Sequence, residues 1–225
     1  MPRNQYRLSN LAPWSWSLTY ILLAALSFFS LSLLALRVIA THSPMYLFLV
    51  WNLMLAMIPW LMTTGTGFHT KKMSGPARLV GMVLWILFFP NSPYILTDLF
   101  HLHKPGDMPL WFDLIMILSF ATTALVFGLW SLHALETALR NTYKSWQVEI
   151  FIVCMLFASG FGVYLGRYLR FNSWDLFSMP GSLLSEILHR FTSPSAHPRT
   201  WGMTLVLGIF LNLIYALSKR IRWEA

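Results

Sequence analysis

The sequence has few charged residues, and none of them lies in the central part of its long apolar stretches. Only 11% of the 225 residues are charged, whereas soluble domains carry about 25%. A charged side chain at the centre of an inserted helix costs about 2.5 to 3.5 kcal/mol on insertion scales, so this distribution predicts helices that cross a membrane. A water-soluble fold of this composition is excluded, because it could not cover its apolar surface.

Cysteine is almost absent as well. Cys154, the single cysteine, lies in an apolar stretch, which excludes an intrachain disulfide, a thiolate metal cage and a cysteine pair for redox chemistry. The net charge of +8 comes from lysine and arginine residues in short clusters at the ends of apolar stretches. Such clusters are typical of membrane topology signals rather than of a basic stripe that binds nucleic acid, so we expect no nucleic-acid partner.

Six stretches of the sequence are apolar enough to form membrane-crossing helices, which need about 20 mostly apolar residues. They cover residues 18–36, 45–65, 79–97, 114–135, 150–166 and 201–218. A further segment, 183–191, repeats apolar residues at helical spacing opposite polar ones, as expected of a short helix in the membrane interface. The sequence therefore predicts an all-α fold: a polytopic transmembrane helical bundle of about six spanning helices plus a short interfacial helix, in a single integral membrane domain over residues 1–225.

Basic residues are distributed unevenly between the two membrane faces that six spans would define. Ten of the 16 lysine and arginine residues fall on the side of the two termini, and six fall on the opposite side. Because basic loops tend to stay in the cytoplasm, we expect both termini to be cytoplasmic. The opposite, extracytoplasmic face would then carry the ends of four spans at which polar residues concentrate.

The third predicted span ends in a polar motif that starts with two prolines. Pro90 and Pro93 remove two backbone donors, so the helix should break or kink, and the freed carbonyl groups must be buried in protein or face a wet cavity. After the break, four polar residues recur at helical spacing: Tyr94, Thr97, Asp98 and His101. Two interpretations of this polar stripe stay open. It belongs to a functional site, or it is the face of an interfacial helix that meets water.

Polar residues at the ends of other spans favour a functional site. Arg167 and Arg170, at the end of the fifth span, are three residues apart and can share a helix face, where they could pair with an aspartate. The candidate partners are Asp98, Asp113 and Asp175. Three glycines in the same span permit another helix to approach closely: Gly160, Gly162 and Gly166. We therefore expect one extracytoplasmic ligand-binding site, with the candidate residues Asn52, Asn91, Tyr94, Asp98, His101, Asp113, Arg167, Arg170, Asn172, Trp174 and Asp175.

Four motifs on this face make the chain resemble a known family. They are Trp51-Asn52-Leu-x-Leu-Ala56-x-x-Pro59, Pro90-Asn91-x-Pro93-Tyr94-x-x-Thr97-Asp98-x-x-His101-Leu102, Pro109-Leu110-Trp111-x-Asp113 and Gly166-Arg167-x-Leu-Arg170-x-Asn172-Ser173-Trp174-Asp175. Together they are similar to those of bacterial membrane proteins classed as a domain of unknown function, number 1361, over approximately residues 45–180. The resemblance implies a location in the bacterial plasma (inner) membrane and no settled activity.

The residue types at the site allow two kinds of catalytic chemistry. Asp98 and His101 could act as an acid–base pair, because burial beside a carboxylate tunes a histidine for proton transfer near neutral pH. A metal ion is the weaker alternative. Asp98 and His101 can share a metal at i, i+3, whereas His103 would point about 200° away from His101 on one helix and could join only from an unwound chain. The sequence requires no cofactor, and whether the protein is an enzyme stays open.

Three function classes fit these observations. A binding protein or scaffold among membrane lipids is favoured, with the arginine pair recognising the phosphate of a lipid headgroup or the whole face gripping another envelope protein. The alternative is a membrane-embedded enzyme, metal-dependent or metal-free, that acts on a lipid or a lipid-linked substrate. A transporter is less favoured, because carriers usually keep ionisable groups or broken helices near the membrane midplane.

Overall fold

The computed structural model describes residues 13–65, 75–102 and 108–224, and these ranges contain helices and no β-strand. The elements follow in the order α1 (Pro13–Thr41), α2 (Phe48–Gly65), α3 (Gly75–Phe88), α4 (Asn91–Tyr94), a 3-10 helix (Ile95–His101), α5 (Leu110–Arg140), α6 (Ser145–Tyr168), α7 (Asp175–Ser178), α8 (Pro180–Thr192), a second 3-10 helix (Pro194–Ala196) and α9 (Pro198–Glu224). The predicted all-α fold is confirmed.

Five of these elements are long and apolar enough to cross a membrane: α1, α3 with its continuation to His101, α5, α6 and α9. Helix α2, with 18 residues, is apolar but shorter, at the lower end of the range that spans a bilayer. The described residues thus hold five long spanning helices and one shorter apolar helix where about six spans were predicted. The chain is a multi-pass membrane protein.

Helix α5 lies at the centre of the bundle. It packs against α1 and α2 on one side and contacts α6, which packs mainly on α9. Phe120 of α5 is buried among residues of α1 and α2, whereas Leu132 of α5 is buried among residues of α3, α6 and α9. The outward faces of α1 and α9 expose large apolar side chains such as Phe28 and Val206, which lipid tails solvate as well as a protein core does.

The third span breaks at its two prolines, as the sequence predicts. Helix α3 ends at Phe88, α4 is a single turn, and the chain continues as a 3-10 helix. The Asn91 side-chain amide donates to the Phe88 carbonyl at 2.8 Å, and the Ser173 hydroxyl donates to the Leu87 carbonyl at 3.3 Å. Polar side chains therefore satisfy carbonyl groups near the break inside the protein, as an interrupted helix at membrane depth requires.

Helix α6 approaches this break closely because it carries glycines. A Cβ atom added at Gly162 would lie 2.9 Å from ring atoms of Pro90, and one added at Gly166 would lie 3.1 Å from the ring of Tyr94. The close approach predicted at these two glycines is confirmed, since a larger side chain would push the elements apart. The contact places Arg167 beside the 3-10 helix.

The predicted interfacial segment 183–191 lies within α8, a helix of 13 residues. Leu183 and Arg190 on one face are buried against the bundle, whereas Leu184, Leu188 and Phe191 are exposed. An exposed apolar face beside a polar one is the form expected of a helix that lies in the membrane interface.

Candidate functional site

Asp98 is fully buried, with 0% of its surface exposed. Its carboxylate accepts a hydrogen bond from the Asn52 amide at 2.8 Å and a charge-assisted hydrogen bond from Arg167 at 3.0 Å. These contacts join α2, the 3-10 helix and α6. The predicted contact between Asp98 and an arginine of the fifth span is confirmed, and it compensates a charge whose burial would otherwise be strongly unfavourable.

Arg167 also binds other groups of the segment that follows the break. It donates hydrogen bonds to the backbone carbonyl of Thr97 and, at 3.5 Å, to the hydroxyl of Tyr94. Its Nη1 atom lies 3.2 Å from Nε2 of His101. The polar stripe therefore faces an arginine, and the interpretation that it merely meets water is wrong.

Arg170 lies apart from this cluster. Helix α6 ends at Tyr168, and Arg170 adopts a left-handed backbone conformation with φ of 60°, which is uncommon for a residue other than glycine. Its side chain is exposed and forms no ion pair with any residue that the structure describes. The prediction that Arg167 and Arg170 share a helix face is wrong, because the helix ends between them.

Asp113, at the start of α5, pairs with Arg37 of α1 rather than with an arginine of α6. Two hydrogen bonds of 2.7 and 3.2 Å join the guanidinium and carboxylate groups, and both side chains are 5% exposed. Tyr46 connects this pair to the Asp98 cluster, because its ring centre lies 4.3 Å from the Arg37 guanidinium and its hydroxyl donates to the His101 carbonyl. Arg37 and Tyr46 were absent from the predicted site, since neither belongs to a motif.

Asn172 and Asp175 hold the turn that follows α6. The Asp175 carboxylate accepts hydrogen bonds from the Asn172 backbone N–H at 2.7 Å and from the Ser178 hydroxyl at 2.8 Å. These bonds, the first above all, hold the pKa of the Asp175 carboxyl below its usual range. Asp175 thus fixes a turn instead of pairing with an arginine. In the same turn, Trp174 packs edge-on against Trp51 of α2, with ring centres 6.3 Å apart.

A cavity of about 310 Å³ lies between α2, the break after α3, α6 and α8. Five polar residues of the described ranges line it: Asn52, Asn91, Tyr94, Asn172 and Ser173. Most of the remaining wall is apolar and includes Leu55, Ile86, Phe161, Leu183 and Ile187. Four predicted site residues therefore meet at one cavity. The other predicted residues do not line it: Asp98, His101, Asp113, Arg167, Arg170, Trp174 and Asp175.

The metal-binding alternative finds no matching set of ligands in the described ranges. No group of three histidine, cysteine, aspartate or glutamate residues there could hold a metal ion. His103 lies outside the described residues. Asp98 and His101 both contact Arg167, whose positive charge would repel a cation placed between them.

A second ionic cluster lies at the opposite end of α5. Glu136, whose side chain is 7% exposed, accepts hydrogen bonds from Arg140 at 2.7 Å, from Lys219 at 2.8 Å and from the Tyr215 hydroxyl. The cluster ties α5 to α9. Arg140 and Lys219 are among the ten basic residues on the side of the two termini, and Glu136 belongs to no motif.

Comparisons with known proteins agree with the resemblance carried by the motifs. The model of the family described as "Protein of unknown function (DUF1361)" matches residues 51–214. No curated protein and no solved structure matches the chain. The matched range includes every residue known from the described part of the chain to line the cavity. Because this range is well over half of the 225 residues, the chain belongs to this family of proteins of unknown function.

Proposed function

We propose that this membrane protein binds the headgroup of a lipid at the extracytoplasmic face of the bacterial plasma membrane. The observation that carries the proposal is the cavity between α2, the break after α3, α6 and α8, whose lining combines five polar residues, called here its polar wall, with apolar residues, called here its apolar wall. A lipid needs both, because its headgroup requires hydrogen-bond partners and its chain does not.

The polar wall is held in place before any ligand arrives. Asn52 is anchored by Asp98, Tyr94 by Arg167, and the Asn91 amide by the Ser173 hydroxyl at 3.0 Å. Side chains fixed in this way lose less conformational freedom on binding than mobile ones. The buried ion pair thus acts as a positioning pair behind the wall, and it does not itself touch the ligand.

Two tryptophans support a position of the cavity at the depth of lipid headgroups. Trp51 lines the cavity, and Trp174 packs against the ring of Trp51. Both rings are partly exposed, and indole rings favour the interface between water and lipid. Helix α8, which supplies Leu183 and Ile187 to the apolar wall, exposes an apolar face of its own. Side chains that membrane lipid would cover therefore lie next to the cavity.

The same geometry favours binding over acid–base catalysis. Asp98 is buried behind Asn52 and Arg167, and it is not part of the cavity wall. A general base must come within about 2.6 to 3.2 Å of the proton that it removes. A ligand in the cavity would meet amide and hydroxyl groups first, which bind and orient a molecule but supply no base.

The proposal includes an orientation with both termini in the cytoplasm, supported by ten basic residues on that side against six on the other. Single cysteines at Lys72 and Lys104 test it in a Cys154→Ala background, since Cys154 is exposed on α6. We expect an impermeant thiol reagent added to intact cells to label position 104 and to spare position 72. The converse labelling pattern would reverse the orientation.

Filling the cavity tests the binding proposal. Ala158 of α6 lines the cavity, so Ala158→Phe would occupy part of its volume, whereas Val206→Phe would add a ring to the outward face of α9. We expect native mass spectrometry to find lipid retained by the wild type and by Val206→Phe but lost from folded Ala158→Phe. Equal retention by the two variants would contradict the proposal. Wild-type protein that is folded and bare of lipid would also contradict it and would favour an envelope protein as the partner.

A further inference from the structure

Helix α8 forms part of the apolar wall of the cavity, and it is held in place differently from the elements around it. Hydrogen bonds and a buried ion pair join α2, the segment after the break, α6 and the turn after α6: Asn52 to Asp98, Asp98 to Arg167 and Asn91 to Ser173. Within the described ranges, α8 forms no hydrogen bond and no ion pair with α2, the break or α6. Other contacts therefore hold this helix against the bundle.

Apolar and aromatic contacts hold α8 against α6. Leu183 and Ile187 line the cavity together with Phe161 of α6. The ring of Phe191, in the last turn of α8, lies 5.8 Å from that of Phe161 and 5.1 Å from that of Trp201 on α9. In a membrane, lipid tails are as apolar as these side chains, so no hydrophobic driving force opposes the separation of two apolar surfaces. Helix α8 can thus leave α6 at a smaller cost in free energy than an element held by polar contacts.

The charged residue on the buried face of α8 does not prevent this movement. Arg190 is 4% exposed, and separating a buried charge from its counter-ion is costly. The counter-ion of Arg190 is Glu186, one turn earlier on the same helix, so the pair would move with α8. On α6, Arg190 contacts the ring of Tyr164, whose centre lies 5.7 Å from the guanidinium carbon. Separation of α8 from α6 would therefore break this ring contact and leave the ion pair intact.

Both ends of α8 have the form of a hinge. Met179 precedes the helix with φ of −139° and ψ of 56°, and Ser193 follows it with φ of −131° and ψ of 62°. Neither residue is helical, and a proline follows each of them, which disfavours a helical conformation in the residue before it. The contact of 3.0 Å between His189 and His197 joins α8 to the segment after it and not to α6. Rotation at the two junctions would move α8 as a unit.

We propose that α8 is the gate of the cavity: it separates from α6 to admit a lipid from the membrane and then closes against α6 again. This inference rests on the proposed function and adds the route by which the lipid enters. Leu184 and Leu188, on the outward face of α8, are exposed in the closed position. Lipid would cover that face in both positions, and on opening it would also cover Leu183 and Ile187, so the movement transfers no large apolar surface to water.

A reversible cross-link between α6 and α8 tests the gate. Phe161→Cys with Phe191→Cys, in the Cys154→Ala background, would be joined by a short bifunctional methanethiosulfonate reagent and released by a reductant. The matched control is Tyr20→Cys with Trp60→Cys, which joins α1 to α2 at a pair of rings with the same 5.8 Å separation. Neither residue of the control pair lines the cavity.

The rate of lipid exchange is the measurement. Native mass spectrometry would follow the replacement of bound phospholipid by the same phospholipid with deuterated acyl chains. We expect the cross-link between α6 and α8 to slow this exchange at least about tenfold, because a closed gate blocks entry and release. The reductant should restore the rate, and the control cross-link should leave it unchanged.

A second variant changes the rate in the opposite direction. Phe191→Ala removes the ring contacts with Phe161 and Trp201, so we expect it to speed lipid exchange by about 2- to 10-fold. Phe28→Ala is the control, because Phe28 lies on the outward face of α1, where 74% of it is exposed. This control should exchange lipid at the wild-type rate.

The outcomes separate this inference from the proposed function. Retained lipid that exchanges equally fast with and without the cross-link between α6 and α8 would overturn the gate and leave lipid binding in place. Equal slowing by the control cross-link, an unchanged rate in Phe191→Ala, or failure of the two cysteines on α6 and α8 to be cross-linked would also overturn the gate. Absence of bound lipid from the wild type and from every variant would overturn the inference and the proposed function together.

Discussion

Replacing Asp98 with asparagine should lower the free energy of unfolding by about 3 kcal/mol. The Asp98 side chain is 0% exposed and that of Arg167 is 14% exposed, and removing one partner from a buried pair costs about 3 to 5 kcal/mol because the other charge loses its compensation. The expected loss in the free energy of unfolding lies at the lower end of this range, because Arg167 is partly exposed and keeps its hydrogen bond to the Thr97 carbonyl. Asparagine has the shape of aspartate, so Asp98→Asn leaves no void.

Glu149→Gln is the matched control for this change. Glu149 and Arg140 form an ion pair with the same 3.0 Å separation, but their side chains are 59% and 34% exposed. An exposed pair contributes about 0.2 to 1 kcal/mol. Equilibrium unfolding in mixed detergent micelles measures the loss in each variant. Losses that agree within about 0.5 kcal/mol would refute the reasoning that burial, and not distance, sets the strength of these pairs.

Three further predictions concern packing, the opposite end of the bundle and the exposed arginine. Gly162→Ala should lower the free energy of unfolding by about 1 to 3 kcal/mol, because its Cβ would lie 2.9 Å from Pro90. Gly202→Ala, with no atom within 4 Å of its Cβ, should be neutral or stabilising. Equal melting temperatures of the two variants would contradict this. Glu136→Gln should lower the free energy of unfolding in mixed micelles by about 1 to 3 kcal/mol without changing lipid retention. Lost retention would contradict this by showing that the Glu136 cluster and the cavity are coupled. Arg170→Gly should keep lipid retention and raise stability by up to about 1 kcal/mol, since glycine adopts a positive φ without strain, and lost retention would return Arg170 to the site.

The sequence predicted the elements whose signals are local. Long apolar stretches mark the spanning helices wherever they pack, and Pro90 and Pro93 break a helix in any context because they lack a backbone donor. The contact of Asp98 with Arg167 followed from placing both residues at one membrane face, where each needs a partner. These arguments require no knowledge of which helices are neighbours.

Other features depend on packing between distant parts of the chain. The pairing of Arg37 with Asp113 joins residues 76 positions apart, and no spacing rule connects them. Arg170 does not pair with an aspartate as expected, because α6 ends before it. The helix ends where Arg170 adopts a positive φ, and the residue type does not reveal this conformation. Ser173 and Ile187 reach the cavity only because the chain after α6 folds back over the break. The cavity itself therefore could not be predicted from the sequence.

The most direct test of lipid binding in the cavity is photo-crosslinking. A phospholipid that carries a diazirine in its acyl chain next to the headgroup would be activated in proteoliposomes, and the modified residues would be identified by peptide mass spectrometry. The account predicts modification at the apolar wall of the cavity, at Leu55, Phe161 or Ile187, and its loss in Ala158→Phe. Modification confined to outward positions such as Phe28 and Val206 would contradict the account, because it would place lipid only around the bundle and not within it.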